Sequence, residues 1–242
     1  MLTIWVVSGH VGTDAVVAEA LASLAATRHV VVPASERVAA DIRDQVAAAK
    51  LPVGARLPEE GLGRALQVSR NTVREALSQL IAERVLVRVP NRGVFVVQPE
   101  VDDVRDVYRS RLVIETGALR HGELVDDAQA VARVRSAVEG GRASAARSDW
   151  TGVADANQFF HRAVVGLAGS PRLDREMDRL LAEMRLVFQR MPEVRAFHEP
   201  YLARNIAITD LIERGALPEA ADELAAYLVV ARDQIVEAYA GL

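Results

Sequence analysis

Val68-Ser69-Arg70-Asn71-Thr72-Val73-Arg74-Glu75-Ala76-Leu77-Ser78-Gln79-Leu80 is the stretch that decides the fold. Ser69 stands where a helix would begin, and its hydroxyl can accept a hydrogen bond from a free amide of the first turn. Val73, Leu77, Leu80 and Ile81 recur at three- and four-residue spacing and form one apolar stripe. Arg70 and Arg74 stand one turn apart and project from a different face, with Asn71 and Thr72 between them. A major groove admits one helix, and a guanidinium there can pair bidentately with guanine. The stretch is therefore read as a recognition helix. For either arginine taken alone, the plainer reading is a solvated face held by Glu75 or Ser78.

The neighbouring segments fit that reading. Ser35 to Lys50 places Val38, Ile42 and Val46 among charged residues, as an amphipathic first helix does. Leu51 to Pro58 reads as a stiff connector, Glu59 to Leu66 as a second helix, and Gln67-Val68 as the turn of a helix-turn-helix. Val85 to Val89 and Val94 to Val97 are β-rich runs around Pro90-Asn91-Arg92-Gly93, the pattern of a hairpin with a basic tip. A hairpin there would be a wing, able to lay Arg88, Arg92 and the Gly93 amide along a phosphate backbone.

Residues 34–99 resemble the winged helix of GntR-type bacterial transcription regulators. The resemblance rests on Leu57-Pro58-Glu59-Glu60, Val68-Ser69-Arg70, Val73-Arg74-Glu75-Ala76-Leu77 and Asn91-Arg92-Gly93-Val94, in that order. It implies that Arg70, Asn71, Thr72 and Arg74 occupy base- and phosphate-contacting positions, with Gly93 at the wing. The chain departs from the family pattern in three places. Gly61 and Gly63 weaken the second helix by about 1 kcal/mol each relative to alanine. Gln67 stands where the family usually has a turn glycine, so a left-handed backbone there would be mildly strained.

The chain has 242 residues, half of them hydrophobic and few aromatic, which suits two mainly helical domains. No cysteine is present, which excludes disulfides and thiolate metal sites. Lys50 is the only lysine. The net charge of -4 argues against indiscriminate nucleic-acid binding, yet it is unevenly spread. Residues 34–99 carry ten basic and seven acidic side chains, leaving nineteen basic and twenty-six acidic elsewhere. A basic module on an acidic body suits a site-specific DNA binder whose second domain has another task. Residues 1–33 read as an extension without assigned function. Leu2 to Val7 is strand-like and Asp14 to Ala26 helix-like, and neither has the length of a membrane span or the basic flank of a signal peptide. Ser8 to Thr13 lacks the lysine of a phosphate loop.

From Glu100 to the end the pattern is helical. Val104, Tyr108, Leu112 and Leu119 mark one helix. Met177, Leu180, Leu181, Met184, Val187 and Phe188 mark another, and Leu224, Tyr227, Leu228, Ala231 and Ile235 a last one. Breaks at Gly140-Gly141, Gly169-Ser170-Pro171, Met191-Pro192 and Gly215 to Pro218 divide residues 100–242 into about six helices, an all-α effector-binding and dimerisation domain. This half resembles the ligand-sensing (FCD-type) domain of the FadR-like branch of the same family, through Arg111 to Glu115, Asn157 to His161 and Ile206 to Ala221. Many members of that branch hold a divalent metal between an aspartate or asparagine and three histidines. Carried over by position, Asn157 and His161 fit two ligands, but the other two histidine positions fall on Asn205 and Tyr227. An amide oxygen is a weak donor for zinc or nickel and a neutral phenol a weaker one. No cofactor is therefore expected; Asn157 and His161 are what remain of a metal site.

The expected effector site is a polar pocket of Asn157, His161, Asn205 and Tyr227 that binds an organic acid or acyl-type molecule directly. Arg111 either anchors its carboxylate or phosphate or pairs within its helix with Glu115. His121 and His198 are read as surface residues. The fold is expected to be mainly α, a winged helix-turn-helix followed by a helical bundle. The function is expected to be a cytoplasmic, nucleoid-associated homodimeric repressor on an inverted-repeat operator, released by its effector, with no membrane partner. The alternatives are an architectural DNA binder without a sensor and a metal-dependent, enzyme-like bundle. No nucleophile-base pair supports the second of these.

Overall fold

The computed structural model of the chain describes residues 33–191 and 194–240. The expectations for residues 1–32 lie outside them. Helix α1 (Ala34–Ala47) opens the winged helix, followed by β1 (Arg56–Leu57), α2 (Glu59–Leu66), α3 (Arg70–Ala82) and the hairpin β2 (Leu86–Val89) and β3 (Gly93–Val96). The bundle follows as α4 (Val101–His121), α5 (Ala128–Ala146), α6 (Trp150–Gly166), α7 (Pro171–Phe188), α8 (Val194–Glu213) and α9 (Leu217–Ala240). The chain is thus mainly α, with a small antiparallel sheet forming the wing.

The α3 stripe organises the first module. Val73, Leu77 and Leu80 are fully buried and meet Val38, Ile42 and Val46 of α1 in one core with Leu57, Leu86, Val94 and Val96. Ser69 caps α3 as its sequence position suggests, its Oγ accepting from the Thr72 amide at 3.1 Å. The segment before α2 is more than a connector. Arg56 and Leu57 pair with Phe95 and Val94 as a third strand, giving the sheet order β1-β3-β2. Two-residue strands carry little periodicity, so the sequence pattern did not show it. Gln67 ends α2 at φ +54°, in the left-handed region. Gly93 closes the wing turn at φ +111°, where an L side chain would be strained.

In the bundle α4 packs along α9, α5 along α6, and α8 against α5, α6 and α9. One expected break is wrong. Gly140 and Gly141 lie inside α5 rather than ending it. A Cβ on Gly141 would come within 2.9 Å of Leu202 Cδ1 and 3.3 Å of Ala156 Cβ, so the glycine lets α5 approach α8 and α6. The actual boundaries of α5 and α6 are set by Asp127 and Asp149, whose carboxylates accept from the Ala130 and Gly152 amides at 2.6 and 2.9 Å.

Helix α7 joins the two modules. Its predicted stripe, Met177, Leu180, Leu181, Met184 and Val187, is buried in the bundle. Leu186 lies off that stripe and is also fully buried, because it enters the winged-helix core. Arg190, just beyond α7, donates to the Pro99 carbonyl at 3.0 Å. Next to Pro99, α4 begins with a capping box in which the Glu100 amide donates to Asp103 Oδ2 at 2.8 Å.

Candidate DNA-binding face and buried polar site

Helix α3 and the wing expose the basic side chains singled out by sequence. Arg70, Asn71 and Arg74 are exposed and Thr72 is half-buried. Asn71 donates to Glu75 Oε1 at 2.7 Å, and the Thr72 hydroxyl lies 2.8 Å from Ser69 Oγ. Arg88 and Arg92 are exposed on the wing, and the Arg92 guanidinium sits over the Phe95 ring at 5.7 Å. The first turn of α2 ties helix and wing together. Glu60 Oε1 accepts from Arg70 Nη2 at 3.2 Å, and Glu59 Oε1 from Arg88 Nη1 at 3.4 Å. Arg70 is thus held by Glu60 rather than by Glu75 or Ser78. Arg74 has no ion-pair partner among the described residues. On this face Arg92 likewise carries no ion pair among the described residues, whereas Arg70 and Arg88 are paired with Glu60 and Glu59.

Within the bundle, four helices send polar side chains into one buried chain of hydrogen bonds. On α4, Arg111 Nε donates to Glu115 Oε1 at 2.8 Å, so the intrahelical pair forms. Glu115 Oε2 meets His161 Nδ1 of α6 at 2.6 Å. His161 Nε2 faces the Tyr227 hydroxyl of α9 at 3.0 Å, and that hydroxyl is 2.9 Å from Asn157 Oδ1. Asn205 Nδ2 of α8 donates to the same Asn157 oxygen at 2.8 Å. All five residues expected at the effector site therefore lie in one cluster, and Glu115, expected only as an Arg111 partner, is the link that joins Arg111 to His161 and the rest.

Charge in this cluster follows from burial. Burial alone would raise the Glu115 carboxyl, but His161 and Arg111 outweigh it and hold it below the usual value. Burial pushes His161 below its usual value, against the pull of Glu115. Burial likewise lifts the Tyr227 phenol well above 10. The consistent state is an ionised Glu115 accepting from a neutral His161 Nδ1–H. The single Tyr227 proton can go to His161 Nε2 or to Asn157 Oδ1; donated to His161 it leaves both acceptors served, because Asn157 Oδ1 also accepts from Asn205 Nδ2.

Further polar atoms are left over. Arg111 Nη2, Asn205 Oδ1 and His198 Nδ1 are buried without a hydrogen-bond partner. His198 corrects an expectation: it is only 2% exposed, wedged against the rings of Phe188 and Phe197, not a surface residue. It precedes Asn205 by two helical turns, a spacing that puts both on one face of α8. With Asn157 they line an internal gap with no room for a water molecule. His121 is exposed, as expected.

The cluster is a poor fit to a divalent metal. Asn157 Oδ1 and His161 Nε2, the two donors a metal would use, are already turned toward Tyr227 and Asn205. Only one imidazole is in the set, and amide and phenol oxygens are weak partners for zinc or nickel. Among the described residues no group of three or more His, Cys, Asp or Glu side chains could hold a metal ion.

A basic helix and wing joined to a bundle with a buried polar cluster define a ligand-sensing DNA-binding protein, and comparison with known proteins agrees. Residues 34–96 match the family model of bacterial regulatory proteins of the gntR family, and residues 106–229 match the FCD domain. The HTH-type transcriptional regulator BphR of Paraburkholderia xenovorans (strain LB400) is 32% identical over 187 residues, which are 72% of this chain and 75% of that protein. The Nta operon transcriptional regulator of Aminobacter aminovorans is 30% identical over 195 residues, 78% of this chain and 88% of that one. The crystal structure of a GntR transcriptional regulator from Rhodococcus sp. RHA1 superposes with a TM-score of 0.78 at 38% identity, covering 85% of this chain and 98% of that chain. The chain belongs to the GntR family of transcription regulators, with a GntR DNA-binding domain followed by an FCD effector-binding domain. The family and these relatives are regulators, not enzymes. Among the described residues no helix is long and apolar enough to cross a membrane.

Proposed function

We propose that this regulator is a homodimeric repressor, acting in the bacterial cytoplasm on nucleoid DNA, that binds an inverted-repeat operator and is released by a small organic-acid or acyl-type effector. Arg70, Asn71, Thr72 and Arg74 read the major groove, and Arg88, Arg92 and the Gly93 amide follow the phosphate backbone. Two-fold pairing of the chain would mirror the operator repeat. The effector is held without a metal by Arg111, Asn157, His161, Asn205 and Tyr227.

One observation carries the acid: Arg111 is 3% exposed and, although its guanidinium lies over the Tyr108 ring, keeps Nη2 without a hydrogen-bond partner. A guanidinium with a free N–H suits a carboxylate. An effector entering beside it must part the bonds that Tyr227 and Asn205 make to Asn157. It thereby moves α8 and α9 relative to α6 and, through α4 and α7, acts on the winged helix. Operator affinity changes because the effector favours one arrangement over the other.

A second reading, an architectural DNA binder without a sensor, is favoured by a different observation. Both His161 nitrogens already face protein groups, and the adjoining gap admits no water. One experiment separates the two. Fluorescence anisotropy on the DNA upstream of the protein's own gene is measured at two salt concentrations, with the Arg70→Ala/Arg74→Ala double variant beside the wild type. A panel of carboxylic and acyl compounds is then added at saturation. Tight binding that is lost in the double variant and weakened by a panel member supports the repressor. Tight binding that no compound alters supports the architectural protein.

A further inference from the structure

The winged helix and the bundle together line a partly open cavity of about 330 Å³ at their junction, apart from the cluster around His161. Its walls are aliphatic: Ile81 and Leu86 come from the DNA-binding module, Val107 from α4, and Leu186 and Val187 from α7. Val87 of β2, an apolar side chain left 41% exposed, borders the same space. The charged lining is Arg84, Asp103 and Glu183. The Glu183 side chain is only 14% exposed, and Arg84 Nη1, itself on a 71% exposed side chain, approaches no nearer than 3.9 Å. That is the outer limit of an ion pair and too long for a hydrogen bond. Asp103 sits on the exposed rim, its Oδ2 accepting from the Glu100 amide. The cavity therefore shows a mostly buried, weakly countered carboxylate among hydrocarbon walls. Burial pushes Glu183 up to about 7; Arg84 pulls it down, and Asp103, Glu176 and Asp106 raise it further.

We propose that this interdomain cavity is a second ligand site, taking an organic monocation with an apolar body, its ammonium set against Glu183 and its hydrocarbon against the aliphatic walls. The reasoning is by charge and polarity. An ammonium supplies the close counter-charge that Arg84 does not, where a carboxylate in apolar surroundings gains most from one. An organic anion would face Glu183 and Asp103 together. A neutral apolar molecule would fill the space but leave the carboxylate uncompensated. The volume lies at the lower end of the roughly 300–1,000 Å³ seen for small-molecule sites. Because both modules supply walls, an occupant holds one arrangement of the two.

Isothermal titration calorimetry of the full chain with n-hexylamine tests this, with 1-hexanol and hexanoate as matched probes. One hexylamine per chain is expected, bound at least tenfold more tightly than hexanol, with hexanoate silent. Glu183→Gln should weaken hexylamine at least tenfold, while Tyr227→Phe in the effector cluster should leave it unchanged. At pH 7 the wild type should also release a fraction of a proton on binding, read from titrations in two buffers of different ionisation enthalpy, because the ammonium favours ionised Glu183. That second reading stands even if the Gln variant fails to fold. Equal affinity for hexanol, no binding of the amine, binding without proton release, or an amine affinity indifferent to Glu183→Gln would each overturn the site.

Discussion

Glu115 Oε2 lies 2.6 Å from His161 Nδ1, with both side chains shut off from solvent, and this contact links α4 to α6 at the centre of the effector domain. Glu115 is also the counter-charge of buried Arg111. Replacing it by glutamine keeps the shape but leaves the Arg111 guanidinium uncompensated in the interior. Breaking a buried ion pair from one side costs about 3–5 kcal/mol. Glu115→Gln is therefore expected to shift the urea midpoint strongly downward. An unaltered midpoint would mean that Arg111 is neutralised elsewhere and that Glu115 is not the hub of the cluster.

Tyr227→Phe removes the one hydroxyl that faces both His161 Nε2 and Asn157 Oδ1. A buried polar group left unmatched costs about 1–3 kcal/mol, so a moderate loss of stability is expected. The proposed function adds a sharper outcome. Effector-free operator affinity should stay at the wild-type value, because α3 and the wing are untouched, while the effector concentration that halves DNA binding rises at least tenfold. Anisotropy titrations with and without effector read both quantities, and equal effector sensitivity in the two proteins would remove Tyr227 from the site.

These residues also show how far the sequence could be read. The winged helix was legible nearly to the residue, since Ser69, the Val73-Leu77-Leu80 stripe and the turn at Asn91 to Gly93 are local signals with local causes. The bundle was legible as helices, and position-by-position resemblance put Asn157, His161, Asn205 and Tyr227 in one place, where the structure joins them by hydrogen bonds. What was hidden depends on tertiary contact. Gly141 looks like a helix breaker until Leu202 and Ala156 are seen to need its missing side chain. Leu186 falls outside its helix's apolar stripe because it serves a different core from its neighbours. His198 reads as polar and therefore superficial, yet two phenylalanine rings enclose it; its i, i+7 relation to Asn205 was the available signal.

Arg70 and Arg74 differ in a way that DNA binding should reveal. Arg70 pairs with Glu60, with both side chains largely exposed, whereas Arg74 has no ion pair among the described residues. An exposed pair contributes at most about 1 kcal/mol, so Glu60→Gln is expected to tighten operator binding by no more than about fivefold. Arg74→Ala should weaken it. A base contact would show as a loss of about 1–3 kcal/mol confined to particular operator positions. A phosphate contact would weaken all sequences alike and reduce the salt slope by about one. Operator variants titrated at several salt concentrations distinguish these, and no loss by either measure would take Arg74 off the DNA face.

Gln67 ends α2 at φ +54° and ψ +40°, a left-handed conformation that costs an L residue roughly 1–2 kcal/mol. Glycine adopts it freely. Gln67→Gly is expected to raise the stability of the winged helix by about 1 kcal/mol, offset in part by the greater freedom of glycine in the unfolded chain. Operator affinity should not change. A lower thermal midpoint in the variant would show that the Gln67 side chain contributes more than its backbone strain costs.

His198 makes the pH dependence of stability testable. Burial, with His161 acting in the same direction, lowers its pKa from the ordinary 6.5 to about 4, so it is neutral in the fold at pH 7. Between those values the unfolded chain binds the proton and the folded chain does not. Its contribution is therefore fully present above about 6.5 and is lost as the pH falls toward 4. Glu183 works the other way: its carboxyl is raised to about 7 by burial, so the folded chain holds the proton between about 4.5 and 7, and stability falls as the pH rises through that window. The two slopes oppose each other in the wild type. His198→Leu removes one of them, so its stability should decline less on acidification from pH 7 to pH 5 than that of the wild type. Urea midpoints of both proteins across that range decide the matter, and parallel profiles would mean that His198 titrates in the fold as it does in the unfolded chain.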